Sequence, residues 1–412
     1  MGTNEKNLDQ AQRLALQGGA PVRKEPFAPW PHFAPDEIEA VAAVLRSGKV
    51  NYWTGEQAHA FEREFARYVG VKYAVALANG TAALELALHS LGVGRGDEVV
   101  VPSKTFIASA SCVVRVGATP VVADIDPVSQ NVTAANIAKV LTPRTRAVIA
   151  VHLAGWPCEM DEILALAKER GLFVVEDCAQ CAGARYKGRT TGSIGDMGAF
   201  SFCQDKIITT GGEGGMLVTN SRELWERAWS YKDHGKNHAA VFEHGPQHGF
   251  RWLHESFGTN WRITEMQSAI GRLQLAKLPQ WLALRRRNAN LLGQGLSTVP
   301  GLRLALPPAH CEHAYYKYYA FVCPEVLRPE WNLQRVLDAV SAEGIPCGVG
   351  ACDEIYREKA FVDAGLGPSE PLRAAKRLAD TSLVFLLHPT LAERDMHDTC
   401  TAVAKVMGVA TA

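Results

Sequence analysis

The sequence carries no excess of charge of either sign: 43 lysines and arginines balance 43 aspartates and glutamates over 412 residues. That balance removes the electrostatic reason to expect nucleic acid or an anionic membrane as partner, although a local basic cluster could still hold a small anion. No apolar run is long enough to span a bilayer. The first residues, Met1 to Gln17, are polar and charged and contain no apolar secretory core. Ten cysteines are present, but their spacing shows no disulfide framework. A cytoplasmic, reducing location with free thiols is therefore expected. Cys178 and Cys181 stand as C-x-x-C, a pattern that serves as a redox pair or as half of a metal site. A zinc site of that kind needs a second pair at similar spacing; none exists, so no metal is expected. Internal repeats and low-complexity segments are also missing.

What is present is a soluble, globular composition, 47% hydrophobic and 21% charged, in a chain long enough for two domains. The first thirty residues are rich in proline and glycine without a period and read as an extended arm. From Asp36 the pattern turns helical (DEIEAVAAVLRSG), and a second helix ends at Gly70. Short apolar runs then alternate with helix-period segments: KYAVALA, EVVVPS, TPVVADID, RAVIAVHL, LFVVEDCA, GDMGAFSF and GGMLVTN. Such alternation means βαβ units and a mostly parallel sheet covered on both faces. A long helical stretch follows Asn260, with an interruption expected at Pro279. The remainder, with a strand at YYKYYAFVC and helices at NLQRVLDAVSAEG, RAAKRLADTS and ERDMHDTCTAVAKVMG, reads as a smaller α+β domain. The expected division is an arm over 1–30, a large domain over 31–265 and a small domain over 266–412.

The chemistry gathers at strand ends, where open α/β sheets bind ligands. After KYAVALA come Asn79, Gly80, Thr81 and Ala82. Small residues at a helix start leave N–H groups for a phosphate, and the threonine adds a hydroxyl; an ordinary helix cap fits the same residues. Phe106, just beyond EVVVPS, could stack on a flat ring or simply belong to the core. Glu176 and Asp177 end a buried strand, which is costly for carboxylates without partners. A carboxylate there could keep a pyridine nitrogen protonated, or could cap a helix or join a salt bridge. Lys206 follows the buried strand GAFSF and precedes the glycine-rich TTGGEGG. That is a poor place for a surface lysine and a good one for a lysine that condenses with an aldehyde. In this order, with Lys206 standing 29 positions after Asp177, the four features specify a pyridoxal-5′-phosphate (PLP) site.

The chain also resembles the sugar aminotransferases of the DegT/StrS family, a branch of the fold-type I PLP enzymes, from about Leu14 to about Met407. The resemblance rests on GGAPVR and WPHF, FEREFARYVGVKYAVALANGTAALELAL, VVVPSKTFIAS, GATPVVADID, VHLAGWPCEMDEI, VVEDCAQCAGARYKGR, GDMGAFSF, TTGGEGGMLVTN, GTNWRITEMQSAIGRLQL and LLHPTL. It implies an aspartate-aminotransferase-like large domain with a mostly parallel sheet and a smaller α+β C-terminal domain. It implies that Lys206 carries PLP and shuttles the proton, and that Asp177 partners the pyridine nitrogen. Gln180 would lie near the phenolic oxygen, and Phe106 would stack on the ring. Gly80, Thr81, Ala82 and Ser201 would hold the phosphate. Asn260 would reach the cofactor of a neighbouring subunit, which implies a homodimer with shared active sites. On this resemblance Cys178 and Cys181 are ordinary small residues flanking Gln180.

The implied reaction moves an amino group from an amino acid, glutamate being the expected donor, to a keto-sugar attached to a nucleotide, in amino-sugar or cell-surface polysaccharide synthesis. A free cyclitol (inosose) or aminobenzoate-type member is the alternative enzyme, because GGAPVR and WPHF occur in those branches too. A PLP-binding sensor without turnover is the alternative of another class. Family members with histidine in place of the lysine are dehydratases; Lys206 favours transamination. Lys104 departs from the pattern and is expected to point to solvent. Tyr52 and Trp53, before Thr54 and Gly55, are expected to shape the sugar pocket. In the histidine-rich stretch 232–258, His234, Lys236, His238 and Arg251 could contact a nucleotide diphosphate at the dimer interface, or the stretch could be a solvated loop. His313 and His388 match positions near the pocket, where packing explains them equally well.

Overall fold

The computed structural model describes residues 13–242 and 253–411. Seven strands build the main sheet: β1 (Tyr73–Leu77), β2 (Glu98–Pro102), β3 (Thr119–Ala123), β4 (Thr145–Val151), β5 (Phe173–Asp177), β6 (Met197–Ser201) and β7 (Gly215–Thr219). Their order is β1-β7-β6-β5-β4-β2-β3. Only β7 runs against its neighbours, pairing antiparallel with both β1 and β6. The other pairs are parallel. Side chains on both faces of this sheet are buried, which is why the strands read as continuous apolar runs rather than alternating ones.

Helices cover the sheet. α1 (Pro35–Ser47) and α2 (Gln57–Val69) precede it; α3 (Gly80–Ser90), α4 (Ala108–Arg115), α5 (Ala134–Ala138) and α6 (Met160–Arg170) connect its strands; α7 (Arg222–Lys232) and α8 (His238–Phe242) follow. α1 and α2 each stop at a left-handed glycine, Gly48 and Gly70, as a chain that must turn sharply out of a helix requires.

A second, antiparallel sheet contains β8 (Leu302–Leu304), β9 (Lys317–Val322), β10 (Cys347–Gly348) and β11 (Ser382–Leu386), in the order β8-β9-β11-β10. It packs with α9 (Glu265–Leu296), α10 (Leu333–Ala342), α12 (Arg373–Ala379) and α13 (Glu393–Thr411), while α11 (Lys359–Ala364) sets Phe361 in a core of the main sheet. The expected break at Pro279 is absent, since α9 is continuous through it. Leu275, Leu278 and Leu282 sit in the core beneath the main sheet, while Ala289, Leu292 and Leu296 sit in the core of the second sheet. Burial at both ends outweighs the hydrogen bond and steric freedom that proline removes, about 3 kcal/mol. Leu14, Val22 and Phe27 of the arm pack on the second core as well. Among the described residues no helix is long and apolar enough to cross a membrane.

Candidate active site

A cleft of about 1130 Å³ opens at the carboxyl ends of the main-sheet strands, between that sheet and the second one. Gly80, Thr81, Ala82, Phe106, Asp177, Gln180, Ser201 and Lys206 all line it; Asn260 does not.

The phosphate-binding expectation meets a well-defined turn. Asn79 caps α3, its Oδ1 accepting from the Ala82 N–H at 2.8 Å. Ala82 thus spends its N–H inside the turn, and among the described residues no acceptor meets those of Gly80 and Thr81. An added Cβ on Gly80 would stand 2.6 Å from the Ser201 Cβ. The missing side chain is what lets the start of α3 lie directly against the end of β6. Two free N–H groups, a threonine and a serine hydroxyl therefore converge at the positive end of a helix, a geometry that suits an anion.

Asp177, at the end of β5, is buried. Its Oδ2 accepts from the Ser109 hydroxyl at 2.7 Å and its Oδ1 from the Ala179 N–H at 3.0 Å. The Ser109 hydroxyl also meets Thr105 Oγ1 at 2.7 Å. Burial raises the Asp177 pKa above the usual carboxylate range, against the pull of Ser109. A cationic ring nitrogen brought to this carboxylate would be held by it in return. Glu176 points away from the cleft. It accepts from the N–H groups of Gly192, Ile194 and Gly195 and bonds His152 Nε2 at 2.9 Å. Burial would raise its pKa, but His152 and these N–H groups outweigh that and hold it low. The acidic pair thus divides into a structural member and a site member.

Gln180 Oε1 accepts from the Ala154 N–H at 2.7 Å, which leaves the amide NH2 as the group able to donate into the cleft. Phe106 is 66% exposed, an apolar ring face open to the cleft rather than a core residue. The Lys206 side chain is largely buried, with its Nζ 3.3 Å from Asp205 Oδ1 and 3.5 Å from Tyr316 Oη. Tyr316 in turn donates to Asp205 Oδ2. Lys317, whose proton affinity burial lowers, lines the same wall. The Trp30 indole donates to the Lys206 carbonyl at 3.0 Å, so the arm reaches the lysine loop. Trp30, Ser109, Asp205, Tyr316 and Lys317 were not singled out from the sequence. Only Ser109, in the first turn of the helix that follows PSKTF, carried a local cue.

Several expectations are corrected. Lys104 does not point to solvent: it is 1% exposed, paired with Asp353 and bonded to Ser382 Oγ at 2.9 Å. Tyr52 and Trp53 do not reach the cleft. Tyr52 is buried beside α7, with its hydroxyl accepting from Trp229 Nε1 at 3.2 Å and the Lys232 ammonium 3.6 Å from its ring centre. Lys236 is committed to Asp233 at 3.0 Å and lies on the Trp53 ring, and His238 packs between Trp225 and Trp229. His234 is exposed outside the cleft of its own chain, which leaves its expected place at a dimer interface untouched, and Arg251 lies outside the described residues. His313 stacks on Tyr315 and His388 on Trp30, both away from the cleft wall. Cys178 and Cys181 bring their sulfurs within 4.8 Å of a ring nitrogen of His152, all three buried. Both nitrogens of that ring are already engaged, Nε2 by Glu176 and Nδ1 by the Cys158 N–H at 3.0 Å. All ten cysteines are free thiols.

An anion cradle, a buried carboxylate, an open aromatic face and a lysine around one cleft fit a flat, phosphorylated, nitrogen-containing aldehyde. The comparisons agree. The model of the DegT/DnrJ/EryC1/StrS aminotransferase family matches residues 31–404. The L-glutamine:2-deoxy-scyllo-inosose aminotransferase of Streptoalloteichus tenebrarius is 38% identical over 96% of this chain and 97% of its own length. The UDP-N-acetyl-3-dehydro-alpha-D-glucosamine 3-aminotransferase of Acidithiobacillus ferrooxidans is 35% identical over 91% and 96%. The crystal structure of an aminotransferase from Psychrobacter cryohalolentis superposes with a TM-score of 0.92 at 50% identity, covering 93% of this chain and all of the other. This chain belongs to the DegT/DnrJ/EryC1/StrS aminotransferase family and is a PLP-dependent aminotransferase.

Proposed function

We propose that the enzyme transfers an amino group from an amino acid, glutamate in the first instance, to a keto-sugar linked to a nucleotide, in amino-sugar or surface-polysaccharide synthesis. The observation that carries this reading is the convergence on one cleft of Lys206, Asp177 and the start of α3. PLP, when bound, supplies an aldehyde for the incoming amine and a protonated pyridine that withdraws electrons from the reacting carbon.

The residues of the chain do the rest. Lys206 Nζ would hold the cofactor between turnovers and, once displaced, would move the proton at the reacting carbon. Asp205 and Tyr316 fix where that nitrogen rests. Asp177, oriented by Ser109, would keep the ring nitrogen protonated. The N–H groups of Gly80 and Thr81, with Ser201, take the phosphate, and the backbone at Ala82 shapes that turn through Asn79. Gln180 would donate to the phenolic oxygen, and Phe106 would cover one ring face.

The purified protein is expected to be yellow, to bleach on addition of L-glutamate, and to recover colour with a keto acceptor. Lys206→Ala should lose the band that the lysine generates. A colourless wild type that takes up no PLP would overturn the assignment. A yellow protein that no amino acid bleaches would favour a sensor without turnover.

A second reading has its own support. The 38%-identical relative acts, by its name, on a free cyclitol and uses L-glutamine. UDP-linked and GDP-linked keto-sugars should therefore be screened beside 2-deoxy-scyllo-inosose, and L-glutamine beside L-glutamate.

We further propose a homodimer with shared active sites, working in the cytoplasm, built from a large unit over 31–265 and a small unit over 266–412. Asn260 supports sharing: it is exposed outside its own cleft, in a segment whose Phe257 is 99% exposed. Mixed, refolded Lys206→Ala and Asn260→Ala chains should regain activity that neither has alone. No recovery in verified mixed dimers would show that each cleft is complete within one chain.

A further inference from the structure

Lys104 is a lysine with no exposed surface to speak of, two residues before the Phe106 ring that lines the cleft. Its ammonium pairs with Asp353, donates to Ser382 Oγ at 2.9 Å and lies 4.7 Å from the centre of the Tyr319 ring. All three partners belong to the second-sheet side: Tyr319 on β9, Ser382 on β11 and Asp353 in the loop after β10. The same loop is stitched to the end of β2 by backbone bonds. The Thr105 N–H donates to the Cys352 carbonyl at 3.1 Å, and the Ile355 N–H to the Ser103 carbonyl at 3.0 Å. The Tyr319 hydroxyl accepts from the Ala351 N–H at 3.0 Å. Gly350 has φ 89°, and a Cβ there would stand 2.1 Å from that hydroxyl, so the loop lies tight on β9. Gly350, Ala351, Cys352, Ile355 and Glu358 form the cleft wall on this side.

A buried ion pair is a weak source of stability, because apolar residues of similar volume often do as well. What it imposes is placement: the Lys104 ammonium and the Asp353 carboxylate come within ion-pair distance only when the two sides of the cleft meet in one register. Burial works against both charges, lowering the affinity of Lys104 for its proton and raising that of Asp353, with Cys352, Glu354 and Asp380 the other ionisable groups nearby. The pair survives because each ion is the other's compensation.

We propose that Lys104 is a positioning residue that, through Asp353, pins the 350–355 loop as a preformed wall for the bulky amino acceptor. The inference rests on the aminotransferase reading above. Donor and acceptor react in turn at the same lysine, but an amino acid is small, and a keto-sugar or cyclitol extends further towards the outer wall. Loss of the pin therefore falls on the acceptor and not on the donor.

The test uses the holoenzyme with Lys104→Met and, because that change strands Asp353, the paired Lys104→Met/Asp353→Leu variant. Hydrogen exchange should quicken in peptides covering 103–107 and 349–358 and stay unchanged around Lys206. The donor half-reaction, read as bleaching by L-glutamate or L-glutamine, should stay within about twofold. KM for whichever acceptor the wild type uses, UDP- or GDP-linked keto-sugar or 2-deoxy-scyllo-inosose, should rise on the order of tenfold with kcat largely kept. Unchanged exchange in both peptides overturns the pin, whatever the acceptor proves to be. Quickened exchange with parallel slowing of both half-reactions, or with no change in acceptor KM, overturns its role in acceptor placement. If the wild type bleaches yet accepts none of these compounds, the substrate class has failed, and exchange alone decides the pin.

Discussion

Ser109 donates one of the two hydrogen bonds that Asp177 accepts, and it does so at a carboxylate whose burial already favours the neutral form. Asp177→Asn should keep the shape, lose the fixed negative charge and lower kcat by roughly 10²–10³-fold, as removal of a preorganised electrostatic partner does. Ser109→Ala should leave a weaker version of the same defect. Loss of a hydrogen bond to a buried charged group costs about 1–3 kcal/mol, which corresponds to roughly five- to 150-fold in turnover or PLP affinity. Single-turnover bleaching and PLP titration measure both. Neutral histidines are a second residue-scale feature. Burial lowers His313 to about 3; burial, then the charges of Arg285 and Lys317, lower His388 to about 4. Unfolded histidine titrates near 6.5, so between about pH 6.5 and 4 the unfolded chain binds more protons. Stability is then complete above that window and falls as pH drops through it, by up to about 1.4 kcal/mol per pH unit for each histidine. His313→Phe should flatten the dependence, seen as a smaller shift of the urea midpoint between pH 7 and pH 5.

Among the elements, the docking of α3 on β6 decides whether a phosphate cradle exists. Gly80→Ala would drive a methyl group into Ser201, and the overpacking should cost about 1–3 kcal/mol and loosen PLP. A lower melting temperature together with faster cofactor loss on dialysis is the expected result; an unchanged protein would mean the turn can shift freely. The seven strands of the main sheet were legible because nearly all their residues are buried on both faces and so appear as apolar runs; of the second sheet only β9 was, since β8 and β10 are short and half-buried. The helices were legible where a left-handed glycine ends them, as at Gly48 and Gly70. α9 was not, because Pro279 signals a break locally while leucines on either side of it are held in packed cores. Tyr52 and Trp53 misled for the same kind of reason: they precede a glycine turn, but α7 covers them.

At the scale of the whole molecule, the arm is not a loose tail. The buried Glu343 carboxylate accepts from the Ala15 N–H at 2.8 Å and the Val22 N–H at 3.1 Å and pairs with Lys405 at 2.8 Å. Further along, Trp30 bonds the Lys206 carbonyl. Glu343→Ala would leave two N–H groups without their acceptor and the half-buried Lys405 with only the Ala20 carbonyl, so a loss of about 2–4 kcal/mol is expected. Urea denaturation should show it, together with faster proteolysis within the first thirty residues.

Lys206, Asp177, Phe106 and the Gly80–Ala82 turn could be picked out as candidates in the sequence because each lies at or just beyond the end of an apolar strand, a position that local pattern encodes, whereas Gln180 was named only through the family resemblance. The alternation of strands and helices likewise fixed the class of fold. The tertiary structure alone decided what those residues touch: Ser109 on Asp177, Tyr316 and Trp30 at the lysine loop, Lys104 on Asp353, Glu343 on the arm. Each of these contacts joins segments far apart in the chain, and their meeting follows from how two cores pack against each other, which no local pattern of residues records.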